Sequence, residues 1–302
     1  MVMPDAPQRV LVLVNPKAGL LSAFNTMRRA VDRHWDRRGT DVFYQFTQSK
    51  EDGIAKARLA VERGVDLVLV SGGDGTVNTV GRALVGTDVV LGVIPAGSGN
   101  GFARHFGIPL ASDRAVEALA RATAQRIDVG FVNGAPFFVT CSMAWDASLV
   151  RSFDKSPLRG IAPYVFAAVD EFFHYEAQDF TIRLDSGEGI TLAKPMVFTV
   201  ANLTQFGGGA IIAPSAKHDD GFLELVVALR QDVPILLANL VRLFDRSLDR
   251  VPEVLTRRFR SLVVRRERSA PIQLDGELVP AGKEVRVSVQ PSALRVLVPG
   301  TD

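Results

Sequence analysis

The stretch Val65-Asp66-Leu67-Val68-Leu69-Val70-Ser71-Gly72-Gly73-Asp74-Gly75-Thr76-Val77-Asn78-Thr79 decides the fold. Its first half, Val65 to Val70, is an apolar, β-branched run that reads as a buried strand. Its second half is a glycine-rich turn opening into a helix from about Thr76 to Val85. The same arrangement occurs twice more. Val10 to Val14 runs into Asn15-Pro16-Lys17-Ala18-Gly19, and Val89 to Ile94 runs into Pro95-Ala96-Gly97-Ser98-Gly99-Asn100. A strand ending in such a turn presents bare backbone N–H groups at the carboxyl edge of a sheet. Glycine lets an anion approach there, and helix N-termini favour negative charge. Ligands in open α/β sheets gather beyond those strand ends. Three such turns in about a hundred residues predict a nucleotide or phosphate site.

Working outward, strands and helices alternate. A helix fits Ser22 to Arg38, with Phe24, Met27, Val31 and Trp35 on one face, Ser22 as cap and Gly39 at the end. Asp41 to Phe46 reads as a strand and Glu51 to Arg63 as a helix stopped by Gly64. A further helix fits about Ser112 to Thr123. This alternation predicts a Rossmann-like α/β domain, a parallel sheet with helices on both faces. Near residue 126 the pattern changes. Arg126 to Val132 and Ala135 to Ser142 are extended runs joined by Asn133-Gly134, a two-residue hairpin signal. Further strands are expected at Phe180–Leu184, Met196–Asn202, Phe222–Ala228, Ser261–Arg266, Ile272–Leu274 and Val285–Val289. Helical stretches near Pro163–Phe173 and Val233–Phe244 interrupt them. The division expected is residues 1–128, rejoined by a returning C-terminal segment at about 291–302, and a mostly antiparallel β domain over 129–290.

Composition narrows the classes. A chain of 302 residues suits two domains. A net charge of +2 gives no bulk electrostatic case for a nucleic-acid partner. Cys141 is the one cysteine, so no intrachain disulfide forms, which fits a reducing cytoplasm. Met1 to Arg9 lacks an apolar core of signal-peptide length, and no apolar stretch approaches the ~20 residues of a membrane span. The expectation is a cytoplasmic protein whose membrane contact is transient and peripheral. Homodimerisation is left open.

Asp74 is a carboxylate among backbone anion-binding donors. Either it reaches phosphate oxygens through a metal ion or water, or it caps a helix. There is no G-x-x-x-x-G-K-[ST] loop, and neither Gly73-Asp74-Gly75 nor Gly97-Ser98-Gly99 completes a dinucleotide fingerprint, because Asn78 and Phe102 stand where glycine is required. Asp275-Gly276-Glu277 is a turn with two carboxylates, readable as an acidic hairpin or as a base beside an acceptor hydroxyl. Arg257, Arg258, Arg260, Arg265, Arg266 and Arg268 form a basic cluster, either a solvated strand face or a bilayer contact. Phe172, Phe173 and Tyr175 could support such docking or belong to a core. His34, His105, His174 and His218 lack metal-ligand spacing.

Asn15-Pro16-x-x-Gly19, Gly72-Gly73-Asp74-Gly75-Thr76 and Pro95-x-Gly97-Ser98-Gly99-Asn100 resemble, in order, the motifs of the soluble lipid kinase family of diacylglycerol and sphingosine kinases. Gly207-Gly208-Gly209 with Ala213-Pro214, Asp219-Asp220-Gly221 and Asp275-Gly276-Glu277 extend the resemblance to nearly the whole chain. The resemblance implies ATP and Mg²⁺ as cofactors, a lipid alcohol as substrate and a nucleotide site between two domains. Nucleotide contacts carried over are Asn15, Pro16, Lys17, Ala18, Gly19, Thr47, Gly72 to Thr79, Gly97, Ser98 and Asn100. Thr47 reads equally well as a strand end. Asp128, in Arg126-Ile127-Asp128-Val129-Gly130, matches an acidic position near the Mg-phosphate site. Glu277 is implied as the base, with Asp275 and Asp74 tied to the metal-water network. In bacterial relatives the loop matching Lys217 to Phe222 holds a structural Mg²⁺, by the Asp220 carboxylate and the Lys217 and Phe222 carbonyls; the alternative is a solvated acidic turn. Diacylglycerol kinases usually carry Asn-Asp in the third loop, where this chain has Asn100-Gly101. That departure leans the expected substrate toward a single-chain lipid alcohol. Two alternatives are an NAD-kinase-like enzyme for a soluble substrate and a nucleotide-binding regulator without catalysis.

Overall fold

The computed structural model describes residues 7–18, 21–35, 40–147, 175–229 and 241–300, which divide into two compact units. Met1–Val129, Gly207–Gly209 and Pro291–Asp302 form the first, and Gly130–Phe206 with Ala210–Gln290 the second.

In the first unit β1 (Arg9–Val14), α1 (Leu21–His34), β2 (Asp41–Phe46), α2 (Lys50–Glu62), β3 (Leu67–Gly72), α3 (Asp74–Leu84), β4 (Val90–Pro95), α4 (Gly101–His105) and α5 (Ser112–Ala120) follow in order. The strands line up β2-β1-β3-β4, all parallel. Every residue of β3 and β4 is buried. Central parallel strands lie between helix layers, so they are apolar without alternation. Edge strand β2 keeps a more exposed, uneven pattern. All three glycine turns leave the carboxyl ends of adjacent strands.

Strand β5 (Thr123–Val132) carries the chain toward the second unit. There follow β6 (Ala135–Phe137), β7 (Thr140–Ser142), β8 (Phe180–Leu184), β9 (Ile190–Leu192), β10 (Pro195–Ala201), β11 (Gln205–Gly207), β12 (Ala210–Ile211), β13 (Leu223–Leu229), β14 (Val254–Phe259), β15 (Ser261–Arg266), β16 (Ile272–Leu274), β17 (Glu277–Val279) and β18 (Glu284–Val298). The β5–β6 hairpin turns at Asn133-Gly134, whose φ values of 49 and 85 are those of the expected turn. In the second unit the first part of β18 pairs antiparallel with β15, β15 with β8, and β8 with β9. A second sheet runs β14-β13-β10-β7-β16-β17. Phe180, Ile182, Leu262, Val264 and Val287 from the first sheet share one core cluster with Phe198, Val200, Leu223, Leu225 and Leu274 from the second. This is the packing of a β-sandwich.

Several details differ from expectation: Ser22 lies inside α1 and does not cap it, and β9, β11, β12 and β17 are additional short strands. The runs Val285–Val289 and Ala293–Val298 are one strand, β18, passing through Ser292 at φ 52, and its last part pairs parallel with β4. Ala135 to Ser142 is two strands, because the amides of Phe138, Val139 and Thr140 turn onto the Asp275 carboxylate. Helix α4 was not anticipated, since five residues are too few to show periodicity. Strand β14 was not anticipated because its Thr-Arg-Arg centre hides the alternation. The helix expected at Pro163–Phe173, and residues 233–240 of the one at Val233–Phe244, lie outside the described residues, as do Gly19, Gly39, Phe172, Phe173 and His174; Val241–Leu243 is a 3-10 turn.

Candidate functional site

The first glycine turn is a 3-10 turn, Pro16–Ala18, set by Asn15. Asn15 Oδ1 accepts the Lys17 amide at 3.0 Å, and its Nδ2 donates to Thr76 Oγ1 at 2.9 Å. The Asn15 amide itself donates to the Ser71 carbonyl at 3.0 Å. One side chain therefore joins the first turn to the second. The second and third turns are pressed together at the backbone. A Cβ added to Gly97 would lie 2.5 Å from the Gly73 Cα. Real Cβ atoms do not come that near, so glycine at 97 lets the two turns share one surface. Asn100, in the left-handed region at φ 50, closes the third turn on itself: its Oδ1 accepts the Gly97 amide and its Nδ2 donates to the Gly97 carbonyl. Ser98 is exposed at the tip.

Asp74 opens α3, yet it caps a different helix. Its Oδ2 accepts the Gly101 amide at 2.9 Å and its Oδ1 accepts the Phe102 amide at 3.0 Å, two otherwise unpaired donors at the start of α4. Desolvation pushes the Asp74 carboxyl above the ordinary aspartate range, against the pull of the two amides and of the Arg104 charge. The capping alternative is thus present in the geometry, although the helix capped is not the one the local sequence suggests. Arg104, which the sequence reading did not single out, donates from Nε to the Gly99 carbonyl. The Gly208 amide donates to the same carbonyl at 3.1 Å. Arg104 thereby places a cation where the third turn meets Gly207–Gly209. Its signal in the sequence was its position on the first turn of helix after Asn100.

Thr47 and Thr79 both approach Gly53 of α2. A Cβ on Gly53 would lie 3.0 Å from Thr79 Cγ2 and 3.5 Å from Thr47 Cγ2. Thr79 Oγ1 donates to the Gly75 carbonyl, and Asn78 Oδ1 accepts from Arg82. Val77 is buried in the α3 face. Asp128, 1% exposed, accepts the Ser292 amide at 2.8 Å, holding the returning β18.

In the second unit Asp275-Gly276 forms the β16–β17 turn, with φ values of 47 and 87 and Leu274 opposite Glu277. The Asp275 carboxylate accepts three successive amides, Phe138 at 2.8 Å, Val139 at 2.7 Å and Thr140 at 3.1 Å. Glu277 starts β17, half-buried. A second buried carboxylate, Asp146, accepts amides from Ala144, Ala147 and Phe198 and the Thr199 hydroxyl. Burial raises its carboxyl regardless.

In the loop Lys217–Phe222 the Asp220 carboxylate, one of the three ligands the resemblance implies for a structural Mg²⁺, is engaged within the protein. Asp220 Oδ1 accepts the Phe222 amide, and Oδ2 is bound by the Arg258 guanidinium. The Asp220 carboxylate already has its counter-cation. The arginine cluster is likewise engaged internally: Arg265 pairs with Glu284, Arg268 with Glu176, and Arg266 donates to the carbonyls of Ala270, Ala281 and Gly282. Among the described residues no helix is long and apolar enough to cross a membrane.

Residues 9–132 match the model of the diacylglycerol kinase catalytic domain, and residues 140–298 match the YegS C-terminal NAD kinase beta sandwich-like domain. The chain belongs to the diacylglycerol kinase family of lipid kinases. A diacylglycerol kinase of Mycobacterium tuberculosis (strain H37Rv) is 31% identical over 299 residues, spanning 96% of this chain and 95% of that one. A probable lipid kinase, YegS-like, of Pseudomonas aeruginosa (strain PAO1) is 30% identical over 309 residues, covering 98% and 95%. The crystal structure of a putative diacylglycerol kinase from Bacillus anthracis superposes with a TM-score of 0.79 at 19% identity, covering 98% of this chain and 96% of that one, a likeness of fold. In lipid kinase terms, the diacylglycerol kinase catalytic domain match contains all three glycine turns, and the second match contains Asp146, Asp220, Asp275 and Glu277.

Proposed function

We propose that this chain is an ATP-dependent lipid kinase that transfers the γ-phosphoryl group to a lipid hydroxyl. The observation that carries the reading is the joining of three glycine turns by Asn15–Thr76 and by the Gly73–Gly97 backbone approach at the ends of adjacent parallel strands. Such a surface offers amides to a polyphosphate and excludes bulky side chains. In this reading Asn15 to Gly19, Thr47, Gly72 to Thr79, Gly97, Ser98 and Asn100 hold the nucleotide, and Arg104 adds a positive charge to its phosphate end. Mg²⁺ accompanying ATP would neutralise phosphate charge, with Asp74 as the carboxylate that meets its water shell; Asp128, bound to the Ser292 amide at the amino end of β4, is left out of this role. Glu277 takes the proton of the acceptor hydroxyl, and Asp275 fixes the turn from which Glu277 projects. Catalysis is mostly positioning and charge neutralisation.

The test is radiolabelled ATP with diacylglycerol, monoacylglycerol and a sphingoid base in mixed micelles, resolved by thin-layer chromatography. Labelled lipid is expected. Label on NAD and on no lipid would favour a kinase of a soluble substrate; nucleotide binding without turnover would favour a regulator. Position 101 bears on the acceptor. Its amide is bound by Asp74, and glycine there adds no charge beside that carboxylate. A single-chain alcohol is the preferred acceptor in this reading. A tenfold or greater kcat/KM preference for diacylglycerol, about 1.4 kcal/mol, would overturn that part alone. Flotation with anionic vesicles tests the peripheral membrane contact that a lipid substrate requires.

A further inference from the structure

The loop before β13 carries a cation of its own. Arg258 binds Asp220 Oδ2, and its Nε lies 3.7 Å from Glu224 Oε1. Its guanidinium rests over the Phe222 ring, 4.4 Å from the centroid, and that of Arg260 lies 4.2 Å from the same centroid. The arrangement follows from the ladder. Strands β13 and β14 are antiparallel with Glu224 opposite Arg258, so register delivers the arginine to the loop. The Asp220 side chain is 22% exposed and that of Glu224 6%, so both carboxylates are largely withdrawn from water, while the Arg258 side chain is 49% exposed. A planar guanidinium meets two carboxylates and an aromatic face together. A magnesium ion needs near-octahedral oxygens and retains water. Placed on Asp220, it would have to share the carboxylate with Arg258 and stand beside the guanidinium charge.

We propose that Arg258 is the resident cation of the Lys217–Phe222 loop, standing where the family resemblance implies a structural Mg²⁺, so that the stability of the second unit does not depend on a divalent ion. The proposal concerns this loop and is independent of how phosphoryl transfer is read.

The experiment is thermal unfolding of the full chain without nucleotide, in EDTA and in excess MgCl₂ at matched ionic strength. It compares wild type, Arg258→Met and Asp220→Asn. Methionine keeps an apolar stem against Phe222 and removes the charge. The wild-type Tm is expected to be the same in both buffers. Arg258→Met is expected to melt lower by about 2–4 °C in EDTA. That variant leaves Asp220 and Glu224 without their guanidinium, so Mg²⁺ should recover part of the loss by binding the folded state. A wild-type Tm that rises with Mg²⁺, with the rise lost in Asp220→Asn, would overturn the proposal. So would an Arg258→Met protein with an unchanged Tm. If Arg258→Met does not fold, the comparison of wild type with Asp220→Asn decides alone.

Discussion

Asp275 and Thr140 hold each other in both directions: the Asp275 amide donates to the Thr140 carbonyl at 2.9 Å, and the Thr140 amide donates to Asp275 Oδ1 at 3.1 Å. The β16–β17 turn is thereby locked to the start of β7. Both oxygens of Asp275 face amides, so Asp275→Asn must point an NH₂ group at an N–H donor. The variant is expected to lose about 2 kcal/mol or more of unfolding free energy, together with activity. Urea unfolding followed by circular dichroism checks this. A variant that loses activity at full stability would show that Asp275 acts chemically and does not support the turn.

Glu277 lies on that locked turn, one residue beyond Gly276. Glu277→Gln is expected to leave the urea midpoint unchanged and to lower kcat by about 10²–10⁴-fold, the usual contribution of a general base. Nucleotide affinity, measured by titration calorimetry, should hold. A normal kcat would remove Glu277 from the base role.

Asp74 bridges two glycine turns. Asp74→Ala strips the Gly101 and Phe102 amides of their acceptor and is expected to cost about 0.5–2 kcal/mol, the worth of a helix cap. The protein should remain folded while phosphoryl transfer is abolished. Turnover within a few-fold of wild type would mean that the cap is all Asp74 provides.

Gly97→Ala tests whether the shared surface of the second and third turns matters. Its methyl group would meet the Gly73 backbone, which cannot rotate away. ATP affinity is expected to fall at least tenfold, whereas exposed-glycine controls such as Gly282→Ala leave it unchanged. Equal affinity in both variants would separate the turns functionally.

Asp146 sets a pH dependence with a defined sign. Burial raises its carboxyl, so the folded state holds the proton more tightly than the unfolded state across the window above the ordinary aspartate range. Through that window the native protein carries more protons, and stability falls as pH rises. Relative to Asp146→Asn, wild type should lose stability as pH rises above the ordinary aspartate range, until the buried carboxyl ionises in the folded state. Chemical unfolding at several pH values measures the difference in slope. Parallel curves would show that the four hydrogen bonds cancel the cost of burial.

Alternating apolar runs and glycine turns were enough to read the parallel strands of the first unit, the hairpin at Asn133-Gly134 and the antiparallel character of the second. Burial on both faces, and turns that require positive φ, leave direct marks on residue type. Positive φ marks Asn133-Gly134 and Asp275-Gly276, whereas the glycines around Asp74 and Gly97 are marked by close approach, Gly72 to Thr76 and Gly97 to Gly73. What each side chain touches depended on contacts distant in sequence. Asp74 reaches a helix beginning 27 positions later, Asp275 gathers amides more than 130 positions earlier, and Arg258 neutralises Asp220 38 positions away. A carboxylate looks the same in sequence whether it binds a metal, caps a helix or pairs with arginine. Strand register and the close approach of glycine backbones choose among these, and both exist only once the chain has folded.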